Sequence, residues 1–244
     1  MNPPARLLEV GELDLVLEQA RWAFAERQAA SIAAHWTRVR KAKPSLFNGR
    51  VLLLGRRAIG PGANGVLTLK GAFFATDYAD YLAWEEFGFP GEPVDNCFSM
   101  AALRTADGAF LLGEMASHTF NAGQVYFPAG SPDPTDVFDG QVDLESSARR
   151  ELFEETGVRA EETAIAPGWT LVFTPQRIAC MKLMTLAVPA ARAKARIDAH
   201  LARDPHAEFS RMHVVRSPRD IDDERVPVFV AAYLRDAFAQ RSVG

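Results

Sequence analysis

Cysteine is nearly missing from this sequence: Cys97 and Cys180 are the only two. Two thiols cannot build a disulfide framework or, unaided, a zinc site, which excludes a small disulfide-stapled scaffold. They read as reduced core residues, the usual place of free cysteine. Long apolar runs are lacking too. No stretch is long and apolar enough to span a bilayer, so a membrane partner is not expected. The start, Met1-Asn2-Pro3-Pro4, has neither the basic residues nor the apolar run of a secretory signal. A cytoplasmic location is the default expectation. There is also no surplus of positive charge: 27 Lys and Arg stand against 31 Asp and Glu, for a net charge of −4. Such a balance carries no basic footprint, so nucleic acid is not expected as a partner. Small anionic ligands stay open, because local basic groups and metal ions can hold them. No internal repeat or low-complexity tract is present.

What is there suits a soluble globular protein. The chain has 244 residues, 48% of them hydrophobic, enough for a real core. Residues 13–42 are rich in Ala, Leu, Glu, Gln and Arg with apolar positions at helical spacing, which predicts one or two helices. Arg50–Arg57 and Val66–Gly71 predict two strands, with residues 60–65 as the hairpin loop between them. Tyr78–Glu86 predicts a short amphipathic helix. The segment Phe89-Pro90-Gly91-Glu92-Pro93 is the best candidate boundary. It divides the chain into an N-terminal extension, 1–93, and a second domain, 94–244.

Beyond it, strands are expected at Cys97–Arg104, Ala109–Met115, Val125–Phe127, Trp169–Thr174, Cys180–Val188 and Met212–Arg216. Helices are expected at Leu144–Thr156, Ala190–Arg203 and Phe229–Gln240. Strands and helices mix without strict alternation, which points to an α+β chain or a layered α/β/α sandwich.

The informative segment runs from Phe127-Pro128-Ala129-Gly130 through a Pro/Asp-rich loop, Ser131–Asp139, to the helix 144–156. Asp143 is a good N-cap and Gly157 a good helix stop. At about 100° per residue, Leu144, Ala148 and Leu152 form one stripe. Glu151 and Glu155 project in nearly the same direction, with Glu154 one step aside. Carboxylates four apart repel, and partial burial raises the cost. A divalent cation removes the conflict, and all-oxygen ligands suit Mg²⁺ first and Mn²⁺ second. The bland alternative for a Glu-Glu pair near a helix end is a solvated face with a weak ion pair.

The string Arg150-Glu151-Leu152-Phe153-Glu154-Glu155-Thr156-Gly157-Val158 resembles the second half of the Nudix box, G-x5-E-x7-R-E-U-x-E-E-x-G-U, with U aliphatic. The first half departs from it. Counting back from Arg150 puts Val142 where the first Glu belongs. Gly130 lies 12 positions before Val142, against 6 in the standard box, so an insertion is implied, and Glu145 is a candidate substitute. The resemblance implies a Nudix-type α/β/α sandwich that cleaves a nucleoside diphosphate linked to another group. It implies Glu151, Glu154, Glu155 and the Ala129 carbonyl as metal ligands, with Arg150 orienting the glutamates. Many members take a further Glu from a downstream loop, and Glu208 is the candidate here, against a solvated loop Glu. His206 and His213 are weaker candidates. Arg192, Lys194, Arg196 and Arg203 read rather as a solvated face.

Two resemblances bear on the substrate. Pro44-Ser45-Leu46-Phe47-Asn48-Gly49 and Thr76-Asp77-Tyr78-Ala79-Asp80-Tyr81-Leu82 are similar to segments of the UDP-glucose and UDP-galactose pyrophosphatase branch, which implies a UDP-sugar as small-molecule substrate. Gly123–Pro128 looks like the approach to the box in coenzyme A diphosphatases, but Leu111–His118 lacks the arginines expected there. A coenzyme A diphosphatase, or an ADP-ribose or NAD-type pyrophosphatase, is therefore the alternative. A non-catalytic Nudix-fold ligand-binding protein is a third reading, which the three retained box glutamates disfavour. The N-terminal segment reads as a substrate or dimerisation module, so a homodimer is among the expectations.

Overall fold

The computed structural model describes residues 5–44, 46–62 and 65–241. Met1–Pro4, Ser45 and positions 63 and 64 of the expected hairpin loop lie outside the described residues. The chain opens with two strands, β1 (Arg6–Val10) and β2 (Glu12–Leu17), then two helices, α1 (Ala23–Arg27) and α2 (Ala29–Ala42). Helix was expected from residue 13. Instead Leu13, Leu15 and Leu17 alternate with Asp14 and Val16, and the period of two prevails once β2 pairs in parallel with a neighbour. That neighbour is β4 (Leu67–Asp77), which also pairs antiparallel with β3 (Arg50–Pro61). Helix α3 (Tyr78–Glu86) follows, where it was expected. It buries Ala79, Tyr81, Leu82, Ala83 and Trp84, so it is enclosed rather than amphipathic.

The remaining elements are β5 (Asn96–Arg104), β6 (Phe110–Met115), β7 (Val125–Tyr126), β8 (Ala129–Gly130), β9 (Val137–Phe138), β10 (Gln141–Val142), α4 (Leu144–Thr156), β11 (Thr163–Ile165), β12 (Trp169–Thr174), β13 (Arg177–Leu186), α5 (Ala190–Leu201), β14 (Phe209–Val215) and α6 (Val228–Arg241). The larger sheet runs β1-β12-β13-β5-β6-β14, with β7, β8 and β11 attached. Its centre is a parallel pair, β13 with β5, and β5 is buried along nearly its whole length. Such strands carry apolar residues on both faces.

One face of this sheet packs on α6, through Phe98, Met100, Phe110, Val230 and Leu234. The other packs on α4 and α5, through Leu103, Leu111, Ala148, Leu152 and Ile197. That arrangement is the α/β/α sandwich of a mixed α+β chain. The smaller sheet, β3-β4-β2-β10-β9, meets the larger one beside α4, around Leu15, Leu52, Phe73, Val142 and Leu171. Helices α1 to α3 cover its outer face, around Trp22, Ile32, Leu53 and Trp84.

Two strand pairings, among other contacts, join the parts before and after position 93. Strand β1 belongs to the larger sheet, paired with β12 from Arg6↔Phe173 to Val10↔Trp169. Hairpin β9–β10, from the loop before α4, joins the smaller sheet through Gln141↔Val16. Cys97 and Cys180 are free and buried, with sulfurs 3.7 Å apart. No helix among the described residues is long and apolar enough to cross a membrane.

Candidate functional site

Helix α4 is set by its ends. The Asp143 carboxylate accepts from the amides of Glu145 and Ser146 at 2.9 and 3.0 Å. Gly157 closes the helix in the left-handed region, φ 67°. Between them Ala148 and Leu152 are fully buried. The stripe carries Glu155 inward with it, to 4% exposure, while Glu151 is half-buried and Glu154 exposed. Facing them is the short strand β8. The Ala129 amide donates to Glu155 Oε2 at 2.9 Å. A Cβ on Gly130 would stand 2.0 Å from Glu151 Oε1, so a glycine is what lets that carboxylate lie against the strand.

The electrostatics match the crowding. Burial pushes Glu151 up to about 7, helped by Glu154 and Glu208 and opposed by Arg150. Burial also pushes Glu155 well above the ordinary carboxyl value, followed by the charges of Glu151 and Glu208. Glu208 is exposed, on the turn before β14, and its charge reaches both glutamates. It also reaches two tyrosines that sequence reasoning missed. Burial raises the Tyr126 hydroxyl, and Glu155, Glu208 and Tyr78 add to it. Burial likewise raises Tyr78, with Glu208 second.

Tyr78 comes from the extension. Asn48 Oδ1 accepts from the Ala79 amide and the Gly49 carbonyl from the Tyr78 amide, each at 2.8 Å. The two short N-terminal segments singled out in the sequence therefore form one local unit that fixes the start of α3.

Arg150 sits between the glutamates and an aspartate. It donates to Glu151 Oε1 at 2.8 Å and to Glu154 Oε2 at 3.3 Å. Its other terminal nitrogen reaches both oxygens of buried Asp136, at 3.2 and 3.1 Å. Burial alone would weaken this cation, but Glu151 and Asp136 outweigh it and hold its pKa above the usual arginine value.

The acid that pairs with Arg150 from the preceding loop is Asp136, not a residue at either position weighed in the sequence. Val142 does stand eight before Arg150, but it is buried in the apolar cluster between the sheets. Glu145 does not substitute either, because Lys182 and Arg149 take it at 2.8 and 2.6 Å. Counting forward six from Gly130 arrives at Asp136, and that count was the available signal. Between Asp136 and α4 the chain makes hairpin β9–β10.

Other candidates fall elsewhere. His213 bonds Glu114 at 2.7 Å and His206 is exposed. Lys194 and Arg196 pair with Asp198 and Glu162, and Arg192 and Arg203 are exposed. Two cavities, of about 220 and 270 Å³, are lined by no α4 glutamate; the first involves His35 and Phe120, the second Arg104 and Trp169. Among the described residues, no three His, Cys, Asp or Glu side chains are drawn together closely enough to hold a metal ion as they stand. Arg150 and the Ala129 amide occupy the carboxylates instead.

Solved structures similar to this chain include a Nudix hydrolase from M. smegmatis, RenU, 18% identical over 61% of this chain and 86% of that one, TM-score 0.40. The MutT protein of Methanosarcina mazei Go1 is 20% identical over 60% and 92%, TM-score 0.37. A C. elegans Ap4A hydrolase is 17% identical over 60% and 96%, TM-score 0.40. No curated protein matches the chain. The NUDIX domain family matches residues 95–216, half of the sequence, and covers the box helix, Gly130, Asp136 and Glu208. The chain belongs to the NUDIX domain family.

Proposed function

We propose that this protein hydrolyses the pyrophosphate bond of a UDP-sugar, giving UMP and a sugar phosphate, with Mg²⁺ held by Glu151, Glu154, Glu155 and the Ala129 carbonyl. Mn²⁺ would serve the same oxygen set. The carrying observation is Glu155. A carboxylate 4% exposed, with one backbone amide on it and three further glutamates nearby, is poorly compensated as an anion. A hard cation on an all-oxygen set relieves that repulsion, so the residues fit the ion. Binding requires Arg150 to release Glu151 and Glu154 while keeping its hold on Asp136.

When bound, the cation supplies charge for the phosphoryl oxygens and acidifies water. The chain's own residues do the rest. Glu208, at the rim, takes the proton of the attacking water. Glu155, shielded by β8, stays aimed by the Ala129 amide. Tyr78 and Tyr126, whose hydroxyls feel the Glu208 charge, would flank the substrate on the Glu208 side. In this reading residues 1–93 are the substrate module and 94–244 the catalytic domain of a cytoplasmic enzyme. A homodimer formed through the extension fits the same reading.

The test is a panel of UDP-glucose, UDP-galactose, ADP-ribose, NADH, coenzyme A and dNTPs with Mg²⁺, products identified. UMP and glucose 1-phosphate from UDP-glucose are expected, with turnover lost in Glu155→Gln. Cleavage of coenzyme A or ADP-ribose with UDP-sugars inert would replace the substrate assignment. Release from no member would sink the catalytic reading in favour of a ligand-binding role.

A further inference from the structure

Helix α2 ends at Ala42, and the next residue, Lys43, reaches over to the larger-sheet half of the molecule. Its ammonium donates to the carbonyl oxygens of Thr119 and Phe120, the second at 3.2 Å. It also lies over the Phe120 ring, 5.3 Å from the centroid. An ammonium has three donors and no acceptor, so two carbonyls and a ring face satisfy most of what it can offer.

The turn that Lys43 grips holds the rim of the acidic centre. The Ala116 amide donates to the Glu208 carbonyl at 2.8 Å. The Asn121 side chain donates to the Tyr126 hydroxyl at 3.4 Å. Backbone bonds between Met115 and Gln124 and between Gly123 and Met115 close the turn at 2.8 and 2.9 Å. Within 116–124 only Thr119 is buried, so the turn has little core of its own. Loops with few buried contacts take their order from such external bonds.

We propose that Lys43 is a positioning residue: by gripping the Thr119 and Phe120 carbonyls it fixes the 116–124 turn, and through the Ala116 amide it sets the place of Glu208. The extension thereby acts on the acidic centre from outside the box. This rests on the reading of Glu208 as a working carboxylate.

The experiment uses the full chain with Mg²⁺ and UDP-glucose. Lys43→Met keeps the length of the stem and removes the donors; Lys43→Arg keeps donors. In Lys43→Met, kcat is expected to fall about tenfold, the scale of a slightly misplaced catalytic group. KM should move less, and Lys43→Arg should recover most of the loss. In the Glu208→Gln background, Lys43→Met should cost little more, since the residue it positions is already gone. Without substrate, amide exchange across 116–124 should quicken in Lys43→Met while α4 is unchanged. Unaltered exchange in that turn, or a full loss repeated on top of Glu208→Gln, would overturn the proposal. A wild-type chain inert to every diphosphate would overturn the functional reading on which it rests, and the exchange measurement would still decide the clamp.

Discussion

Asp136 and Val142 separate two ways of reading the same box, and their environments decide between them. Val142 is 5% exposed in an apolar cluster with Leu52 and Leu171. Asp136 is 2% exposed and paired with Arg150. A glutamate at Val142 would restore the expected residue at the expected count, yet it would place a carboxylate without a partner among hydrocarbons. Val142→Glu is therefore expected to lose about 3 kcal/mol of stability and to gain no activity. Asp136→Ala removes one of three carboxylates on Arg150, while Glu151 and Glu154 stay paired with it. The expected loss is about 2 kcal/mol, the scale of a charged hydrogen bond. Asp136→Glu should keep most of the activity. Urea denaturation and kcat on one substrate check all three; a Val142→Glu variant as stable and faster than wild type would reinstate the count from Arg150. The half-box was legible because it fixes charge, aliphatic and glycine positions together. Asp136 was not, because an insertion breaks the count on one side and a shorter acid stands where Glu was sought.

At the scale of the element, α4 shows which features sequence specifies locally. Its N-cap, its left-handed stop and its buried stripe all lie within 15 residues, and each acts through neighbours in the chain. Strand β2 depends instead on pairing with β4, over 50 residues away, so a leucine-rich stretch read as helix.

Helix α4 also sets a pH dependence. A carboxyl whose folded pKa lies above its unfolded value keeps its proton in the fold while the unfolded chain loses it. For Glu151, raised from 4.5 to about 7, metal-free stability should therefore fall as pH rises between those values and stay lost above them. The loss is on the order of 3 kcal/mol, and Glu155 adds to it with the same sign. Glu114 acts oppositely: its folded pKa, lowered to about 2 by His213 and Arg211 against burial, gives stability above the ordinary value that is lost as pH falls through 2. Metal ligands must shed their protons, so the rise in Tm on adding Mg²⁺ should grow from about pH 5 to about pH 8. Thermal melts with and without Mg²⁺ across that range measure it. A rise independent of pH would remove Glu151 and Glu155 from the ligand set.

Across the whole molecule, the composition change near residue 93 suggested two separable parts, while the strand pairings run across it. That distinction was not legible, because pairing between distant strands leaves no local mark. Strand β1 covers the edge of β12 along Trp169–Phe173, and the smaller sheet covers Leu171, Ile178 and Cys180. A fragment of residues 94–244 would present an unpaired β12 edge beside an apolar face, the arrangement that invites edge-to-edge association. It would also leave hairpin β9–β10 without β2, and so loosen the loop that carries Asp136 to Arg150. We expect the fragment to aggregate on expression, and the full chain to stay soluble. Co-expression with residues 1–93 should return part of the fragment to solution, because the two surfaces are complementary. Light scattering after size exclusion, together with a thermal melt, makes the comparison. A 94–244 fragment that is monomeric and melts cooperatively would show that the family domain folds without its extension, and that the crossing strands only decorate it.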